Sequence, residues 1–171
     1  HVVFDLLLER RRRGLAGLFD RWKSWSFRHG RMRAVVWGQD DGEVFAAEYD
    51  LPRDRFQFHP YHTTLEGFAP DPGDDGFIFA GGNFGRDYHT LIEAVRDIDY
   101  PVVIATTNPV IPPLAAGLDH VTVQGVSPTE FRRLLSRCTF LVEAHPPDFI
   151  RTAGHQTLLN AMSMGTPIVL A

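Results

Sequence analysis

The sequence lacks several features that would assign a chain to a familiar class. A single cysteine, Cys138, excludes an internal disulfide framework and is typical of a reducing compartment. No stretch approaches the roughly 18–20 consecutive apolar residues of a membrane-spanning helix, and no signal-peptide pattern is present. The expected location is therefore cytoplasmic. His59 and His62 have the spacing of half a metal site, but no Cys or carboxylate cluster joins them, so no metal site is expected.

Positive charge is scarce beyond the start of the chain. Residues 1–33 hold nine Arg/Lys against three Asp/Glu, a net charge of +6, whereas the rest holds eight against eighteen, a net charge of −10. The longer, acidic part and the absence of a recognition motif beside the basic part argue against a nucleic-acid partner.

Aromatic and basic residues alternate within residues 1–29. The run Arg10–Arg13 comes first, and large apolar residues then recur at helical spacing. These residues are Leu15, Leu18, Phe19, Trp22 and Trp25. One interpretation is an interfacial helix that makes peripheral contact with an anionic membrane, at its inner face. The preferred interpretation is an ordinary domain helix, with its aromatic face on the core and its arginines in solvent.

The stretch Gly76–Val95, GFIFAGGNFGRDYHTLIEAV, joins a predicted buried strand to a predicted helix through glycines. Glycines let the backbone approach an anion, and a helix N-terminus offers N–H groups and the positive end of a dipole. Arg86 would add a two-pronged charged donor. The turn therefore suits a phosphate, the alternative being a tight turn whose glycines only solve a packing problem. It does not match G-x-G-x-x-G, so a nicotinamide cofactor is not expected.

Strands and helices alternate over most of the chain. Strands are predicted at 32–37, 55–58, 77–80, 102–106, 120–124, 139–143 and 167–170, and helices at 42–49, 87–97, 128–137 and 155–164, with a short helix or turn at 112–117. Alternation with apolar strands indicates a parallel sheet covered by helices. The Pro/Gly/Asp-rich stretch 67–75 is typical of a linker. His1 in place of Met, and a last strand that looks cut short, suggest a piece of a longer protein.

Two further helix starts carry local signals. Ser127 is a capping residue, followed by Pro128 at the first helical position and Glu130 three residues after the cap. The other start is Gly154, followed by His155, Gln156 and Thr157. Because ligands of such sheets bind at the carboxyl ends of the strands, this start and the glycine turn are expected at one edge. Two anion-suited turns on one edge suit a diphosphate.

These pieces resemble the donor-binding domain of GT-B glycosyltransferases of the group-1, family-4-like type, which use nucleotide sugars. The resemblance is carried by FIFAGGNFGRDYHTLIEAV, by the strand–Gly125–SPTE unit and by GHQTLLNAMSMGTPIVLA, which cover most of residues 75–171. It implies an α/β fold of GT-B type, with a Rossmann-like parallel sheet, helices on both faces and both ends incomplete. Residues 1–66 would end the N-terminal, acceptor-side domain, 67–75 would link, and 76–171 would begin the nucleotide-sugar-binding domain.

The resemblance also implies a set of donor-binding residues, and neither a metal nor a cofactor. These residues are Gly81, Gly82, Asn83, Arg86, Val126, Gly154, His155, Gln156, Thr157 and Asn160. Residues 81–83 would meet the diphosphate, which Arg86 neutralises, and Val126 would meet the nucleobase. Residues 154–157 would lie against the phosphates and the donor sugar, and Asn160 would hold the ribose.

The sequence departs from the resemblance at the ribose contact. Thr152 and Asn160 replace the two acids of the family's Glu-x7-Glu pattern, and an Asn can bond a hydroxyl but brings no charge. The implied activity is metal-independent transfer of a sugar from a nucleotide diphosphate to an acceptor hydroxyl, on a glycan or a lipid-linked acceptor; no catalytic base is assigned. The alternatives are a nucleotide-sugar epimerase, with Glu143 and Asp148 as acid/base candidates, and a non-catalytic binding module.

Overall fold

The computed structural model describes residues 2–4, 14–147, 149 and 153–171. The sequence predictions for the run 10–13, Asp148 and Thr152 lie outside these residues. The described chain forms two compact units, the first ending at Tyr61 and the second beginning at His62. The finer division at 66 and 75 stays a prediction.

Helices and strands alternate through both units. The strands are β1 (Val2–Phe4), β2 (Arg33–Val36), β3 (Phe56–Phe58), β4 (Ile78–Gly81), β5 (Val102–Ala105), β6 (Val121–Gln124), β7 (Phe140–Glu143) and β8 (Ile168–Leu170). The helices are α1 (Leu15–His29), α2 (Asp41–Tyr49), α3 (Tyr88–Val95), α4 (Ile111–Leu114), α5 (Pro128–Arg137) and α6 (His155–Met164), with a 3₁₀ turn at Arg53–Arg55. The structure confirms the predicted elements, with α5 and α6 matching to the residue and the strands of the second unit to within one residue at each end.

The first unit is a three-stranded parallel sheet in the order β1-β2-β3. Alternate residues of β2, Ala34 and Val36, are fully buried, as the two-residue period of a strand requires. They pack with Phe27 of α1, Phe45 of α2 and Phe56 of β3. This apolar cluster therefore holds the two helices on the sheet.

Helix α1 turns its aromatic face outward. Leu18, Phe19, Trp22 and Trp25 are each at least half exposed, and Leu15 is 87% exposed. The buried side of α1 instead carries Phe27 and an ion pair, Lys23 Nζ to Asp20 Oδ1 at 2.8 Å, with Nζ 3.3 Å from the Tyr49 hydroxyl. The preferred sequence interpretation, an aromatic face packed on the core, is therefore wrong. Asp20 and Lys23 neutralise each other on the buried side of α1. The large apolar side chains of α1 therefore lie on its outer side.

The second unit is a five-stranded, all-parallel sheet in the order β6-β5-β4-β7-β8. One face is covered by α3 and α4, whose Leu91, Ile92 and Ile111 join an apolar cluster with the strands. The other face is covered by α5 and α6 through Leu135 and Ala161, both fully buried. Helices on both faces of a parallel sheet confirm the predicted Rossmann-like α/β architecture.

The topology fixes where the sheet has a crevice. From β4 the chain winds to β5 and β6 on one side, and then crosses to β7 and β8 on the other. The strand order therefore reverses between β4 and β7. In open α/β sheets such a switch point, at the carboxyl ends of the strands, is where ligands bind.

The stretch predicted as a linker is fastened to the second unit. The Arg137 guanidinium bonds the Asp75 carboxylate at 2.8 and 2.6 Å and Asp71 at 3.0 Å. The Asp74 carboxylate accepts from the Thr139 hydroxyl at 2.7 Å. Contacts to α5 and to Thr139, the residue before β7, thus hold residues 71–75 in place.

No described helix has the length and apolar character needed to cross a bilayer.

Candidate functional site

The turn after β4 needs its glycines for two different reasons. A Cβ at Gly81 would overlap the ring of Phe131 on α5, so glycine lets that ring pack directly on the end of the strand. Gly82 has a φ of +121°, a conformation that side-chain-bearing residues rarely adopt. Its carbonyl accepts from the Tyr88 hydroxyl at 2.6 Å. The turn is therefore shaped both by close packing and by backbone conformation.

Asn83 ties two strand ends together. Its Oδ1 accepts from the Thr106 hydroxyl at 2.7 Å and from the Thr107 backbone N–H at 2.8 Å. Both partners follow β5, the neighbour of β4. The Asn83 side-chain oxygen is thus already hydrogen-bonded within the protein, and these bonds hold the glycine turn against the end of β5.

The Arg86 side chain points back into the switch point. It is 7% exposed, and it donates from Nε to the Gly81 carbonyl and from Nη1 to the Phe84 carbonyl, each at 3.0 Å. Its Nη2 donates to Glu143 Oε1 at 3.2 Å, and Nε lies 3.2 Å from Glu143 Oε2. The sequence prediction placed this guanidinium at a diphosphate; in the structure it already has a carboxylate partner.

Glu143 ends β7 and is fully buried. This carboxylate is therefore not that of a solvated loop residue. Burial raises its pKa to about 7, against the opposing effect of Arg86. His145 Nε2 lies 3.4 Å from Oε2, and His145 Nδ1 lies 2.6 Å from the Gly85 carbonyl. Three ionisable groups thus meet at the point where the strand order reverses.

The first turn of α6 lies directly against this cluster. Gly154 has a φ of +78°, and a Cβ there would be 2.5 Å from Glu143 Oε2 and 3.4 Å from Arg86 Nη1. Gly154, the residue before the helix, has no side chain with which to cap it, and the first N–H groups of any α-helix have no carbonyl partner within the helix. His155 Nδ1 lies 3.3 Å from the Ala153 carbonyl. The structure therefore brings Gly82, Arg86 and Gly154 together, as the sequence predicted.

A depression of about 290 Å³ lies beside the cluster. It is lined by Val126, Pro128, Phe131, Arg132, Gln156, Thr157 and Asn160. A smaller hollow of about 80 Å³ lies along the glycine turn and shares Val126 and Phe131 with it. Four of the predicted site residues, Val126, Gln156, Thr157 and Asn160, thus line one concavity, which has an apolar wall and a polar wall.

The polar wall is engaged by Thr64. The Asn160 side chain is buried; its Oδ1 accepts from the Thr64 N–H at 3.0 Å, and its Nδ2 donates to the Thr64 hydroxyl at 3.1 Å. Gln156 Nε2 donates to the same hydroxyl at 2.6 Å. Both amides predicted to meet a sugar or ribose therefore hold the segment that begins the second unit.

Comparison with known proteins fits this architecture. No protein-family model and no curated protein sequence matches the chain. Among solved structures it is similar to WaaG, a glycosyltransferase involved in lipopolysaccharide biosynthesis, with a TM-score of 0.59 and 16% identity over 85% of this chain and 46% of that one. A glycosyltransferase from Rickettsia africae is similar over 99% of this chain and 57% of its own, with a TM-score of 0.55 and 11% identity. The chain has the GT-B fold. It spans about half the length of both proteins.

Two contributors to this edge of the GT-B sheet were not predicted. His145 carries no motif, and only its position two residues after a predicted strand could have drawn attention to it. Thr64 lies outside the segments that carry the resemblance, 96 residues before Asn160. A hydrogen bond of that sequence separation leaves no local pattern. Among the residues that the structure describes, no group of three or more His, Cys, Asp or Glu side chains could hold a metal ion.

Proposed function

We propose that the chain is part of a glycosyltransferase that moves a sugar from a nucleotide-diphosphate donor to an acceptor hydroxyl. One observation carries the proposal: the glycine turn, Arg86 and the N-terminal start of α6 meet at the switch point of a GT-B sheet, beside an open depression. Anions bind at helix N-termini, and ligands bind at switch points. A diphosphate with a nucleoside on one side satisfies both preferences.

The depression suggests how the donor would lie. Its apolar wall, Val126 and Phe131, offers a flat surface for a nucleobase. Its polar wall, Gln156 and Asn160, offers side-chain amides for the hydroxyl groups of the ribose or the sugar. These amides become available when their hydrogen bonds to Thr64 break. The diphosphate would then lie between the glycine turn and α6.

We propose that the transfer needs no metal ion. Negative charge develops on the departing diphosphate, and preorganised positive charge stabilises it. The start of α6 supplies a dipole end and Arg86 supplies a guanidinium, so both are already fixed at the place where that charge would form. Turnover should therefore be unchanged by EDTA, and dependence on added Mg²⁺ or Mn²⁺ would contradict this part of the proposal.

Ligand binding by the protein tests the donor site. UDP, GDP, ADP and a nicotinamide dinucleotide are each titrated by calorimetry, beside Arg86→Ala and, as a matched control, Arg96→Ala, which removes an exposed guanidinium beyond the other end of α3. One nucleoside diphosphate should bind, and Arg86→Ala should weaken it by about 1.5–3 kcal/mol, the range for a hydrogen bond to a charged group. Binding of none of them would favour the non-catalytic module. Nucleotide-sugar turnover that inverts a stereocentre of the sugar without transferring it would favour the epimerase.

We also propose that α1 brings the enzyme to an anionic membrane, at its inner face, where a lipid-linked or surface acceptor would be found. The outward stripe of Phe19, Trp22 and Trp25 supports this, because aromatic side chains favour the interface between water and lipid. Arg21, exposed on the same helix, complements anionic headgroups; Arg28 is already paired with the Asp50 carboxylate at 2.7 Å.

A further inference from the structure

The contact between Glu143 and His145 has room for one proton. The Gly85 carbonyl can only accept, so His145 Nδ1, 2.6 Å away, must carry its hydrogen. A neutral His145 then has a bare Nε2, and this atom faces Glu143 Oε2 at 3.4 Å. Oε2 is buried and has no hydrogen-bond partner among the described residues. Two acceptors thus face each other, and a proton between them satisfies both.

Titratable groups surround Glu143. Arg86 reaches its carboxylate from the glycine turn and His145 from the residues after β7, while His155, at the start of α6, acts on His145. Burial lowers the pKa of His145, and Arg86 and His155 lower it further. Burial also raises the pKa of the Tyr88 hydroxyl on α3, so this group stays neutral. Arg86 is thus the one cation in direct contact with the carboxylate among the described residues.

The same cluster borders the anion-binding edge. Gly154, at the start of α6, lies against both Oε2 and Arg86 Nη1. An anion at this helix start would therefore place its negative charge next to the carboxylate of Glu143. Like charges brought together favour the protonated form of the acid. Loss of the carboxylate charge would in turn leave the charge of Arg86 for the anion.

We propose that Glu143 couples anion binding to proton binding. As a carboxylate it holds Arg86 and neutralises its charge. Once a proton lies between Glu143 Oε2 and His145 Nε2, the guanidinium charge is left for the bound diphosphate. The diphosphate itself rests on the function proposed above, whereas the coupling applies to any anion at this edge. Glu143 is in this sense a positioning residue, because it acts through Arg86. The proton is taken from solvent when the anion binds and is returned when it leaves.

The test uses anions that do not titrate near neutral pH, so that only the protein contributes protons. These are sulfate, which needs no base recognition, and intact UDP-glucose, GDP-mannose and ADP-glucose. Calorimetry in buffers of different ionisation enthalpy gives the number of protons taken up. At pH 7.5 wild-type protein should take up a fraction of one proton, and its affinity should fall about tenfold between pH 6.5 and 8.5.

Two variants locate the effect. Glu143→Gln keeps the shape and removes the charge; it should bind the anion about tenfold tighter than wild type at pH 8.5, with no proton uptake and a flat pH profile. Glu143→Asp keeps a titrating group and should retain a pH-dependent affinity. Glu130→Gln, on the exposed part of α5, is the control and should match wild type. Should Glu143→Gln fail to fold, the ¹³C resonance of the Glu143 carboxyl in the wild-type protein should move toward the protonated form when sulfate is added.

The outcomes separate this proposal from the function. Binding of a nucleotide sugar with the same pH profile in wild type and Glu143→Gln would overturn the coupling and leave the transferase intact. Sulfate binding with the expected proton uptake, but no binding of any nucleotide sugar, would support the coupling and count against the transferase. A Glu143 carboxyl resonance that ignores sulfate would also overturn the coupling.

Discussion

Replacing Gly154 by alanine tests whether the start of α6 is held against Glu143 by direct contact. The helix offers its own control, because Gly165 closes α6 with a φ of +74°, nearly the +78° of Gly154. A Cβ at Gly165 would meet nothing within 4 Å, whereas a Cβ at Gly154 would meet Glu143 Oε2 at 2.5 Å. The two substitutions share the backbone strain and differ in the contact.

The expected costs follow from these two contributions. A left-handed conformation costs an ordinary residue about 1–2 kcal/mol, so Gly165→Ala should lower the free energy of unfolding by about 1–2 kcal/mol. Gly154→Ala must in addition push the buried Glu143 carboxylate off its rotamer and away from Arg86. A displaced rotamer costs about 0.5–1.5 kcal/mol, and full loss of a buried ion-pair partner about 3–5 kcal/mol. We therefore expect Gly154→Ala to cost about 1–3 kcal/mol more than Gly165→Ala.

Amide hydrogen exchange of peptides from β4, β5 and β7 measures the difference, because slow exchange in a central sheet reports global opening of that unit. In a Glu143→Ala background the extra cost at Gly154 should disappear, since the atom that a Cβ would meet is gone. If both glycine substitutions lower the free energy of unfolding by the same amount in the wild-type background, the contact between Gly154 and Glu143 is refuted. An extra cost that persists without the Glu143 carboxylate would assign it to another neighbour.

Three further outcomes are expected. Thr64→Val should lower the stability of the second unit by about 1 kcal/mol, because it leaves the Asn160 amide without an acceptor, while Thr64→Ser should be neutral in denaturant titrations. The pKa of Glu143, about 7 in the folded protein against a usual 4.5, means that the native state binds the extra proton; its stabilising contribution is full below about pH 4.5 and is lost as pH rises through 7. The unfolding midpoint should therefore fall from pH 5 to pH 8 in wild type, and less in Glu143→Gln. Trp22→Ser with Trp25→Ser should abolish co-sedimentation with anionic vesicles, and binding that ignores both lipid charge and salt would contradict the membrane proposal.

The parts of the fold with local signals were predictable from the sequence. Helix α5 begins where Ser127 accepts a hydrogen bond from the Glu130 N–H at 3.2 Å, the cap that the sequence indicated. Helix α6 ends at Gly165, which is left-handed as a helix stop requires. The apolar strands gave the sheet, because buried parallel strands read as continuous hydrophobic runs.

Orientation and pairing across the chain were not predictable. The spacing of the aromatic residues in α1 showed that the helix has two different faces. Only the structure showed that the face with the Asp20–Lys23 pair is the buried one. Similarly, the sequence suggested Arg86 as a phosphate ligand, but its buried partner Glu143 lies 57 residues away. A one-dimensional pattern records spacing along the chain, and such contacts depend on how strands are ordered in the sheet.

The two units carry separate intrinsic reporters. All three tryptophans, Trp22, Trp25 and Trp37, lie in the first unit, and the one cysteine, Cys138, lies in the second. The Cys138 thiol is 3% exposed, and burial raises its pKa to about 12. A thiol reagent can therefore label it only when the second unit opens. In one sample, tryptophan emission would report the unfolding of the first unit and thiol labelling that of the second, without any engineered probe.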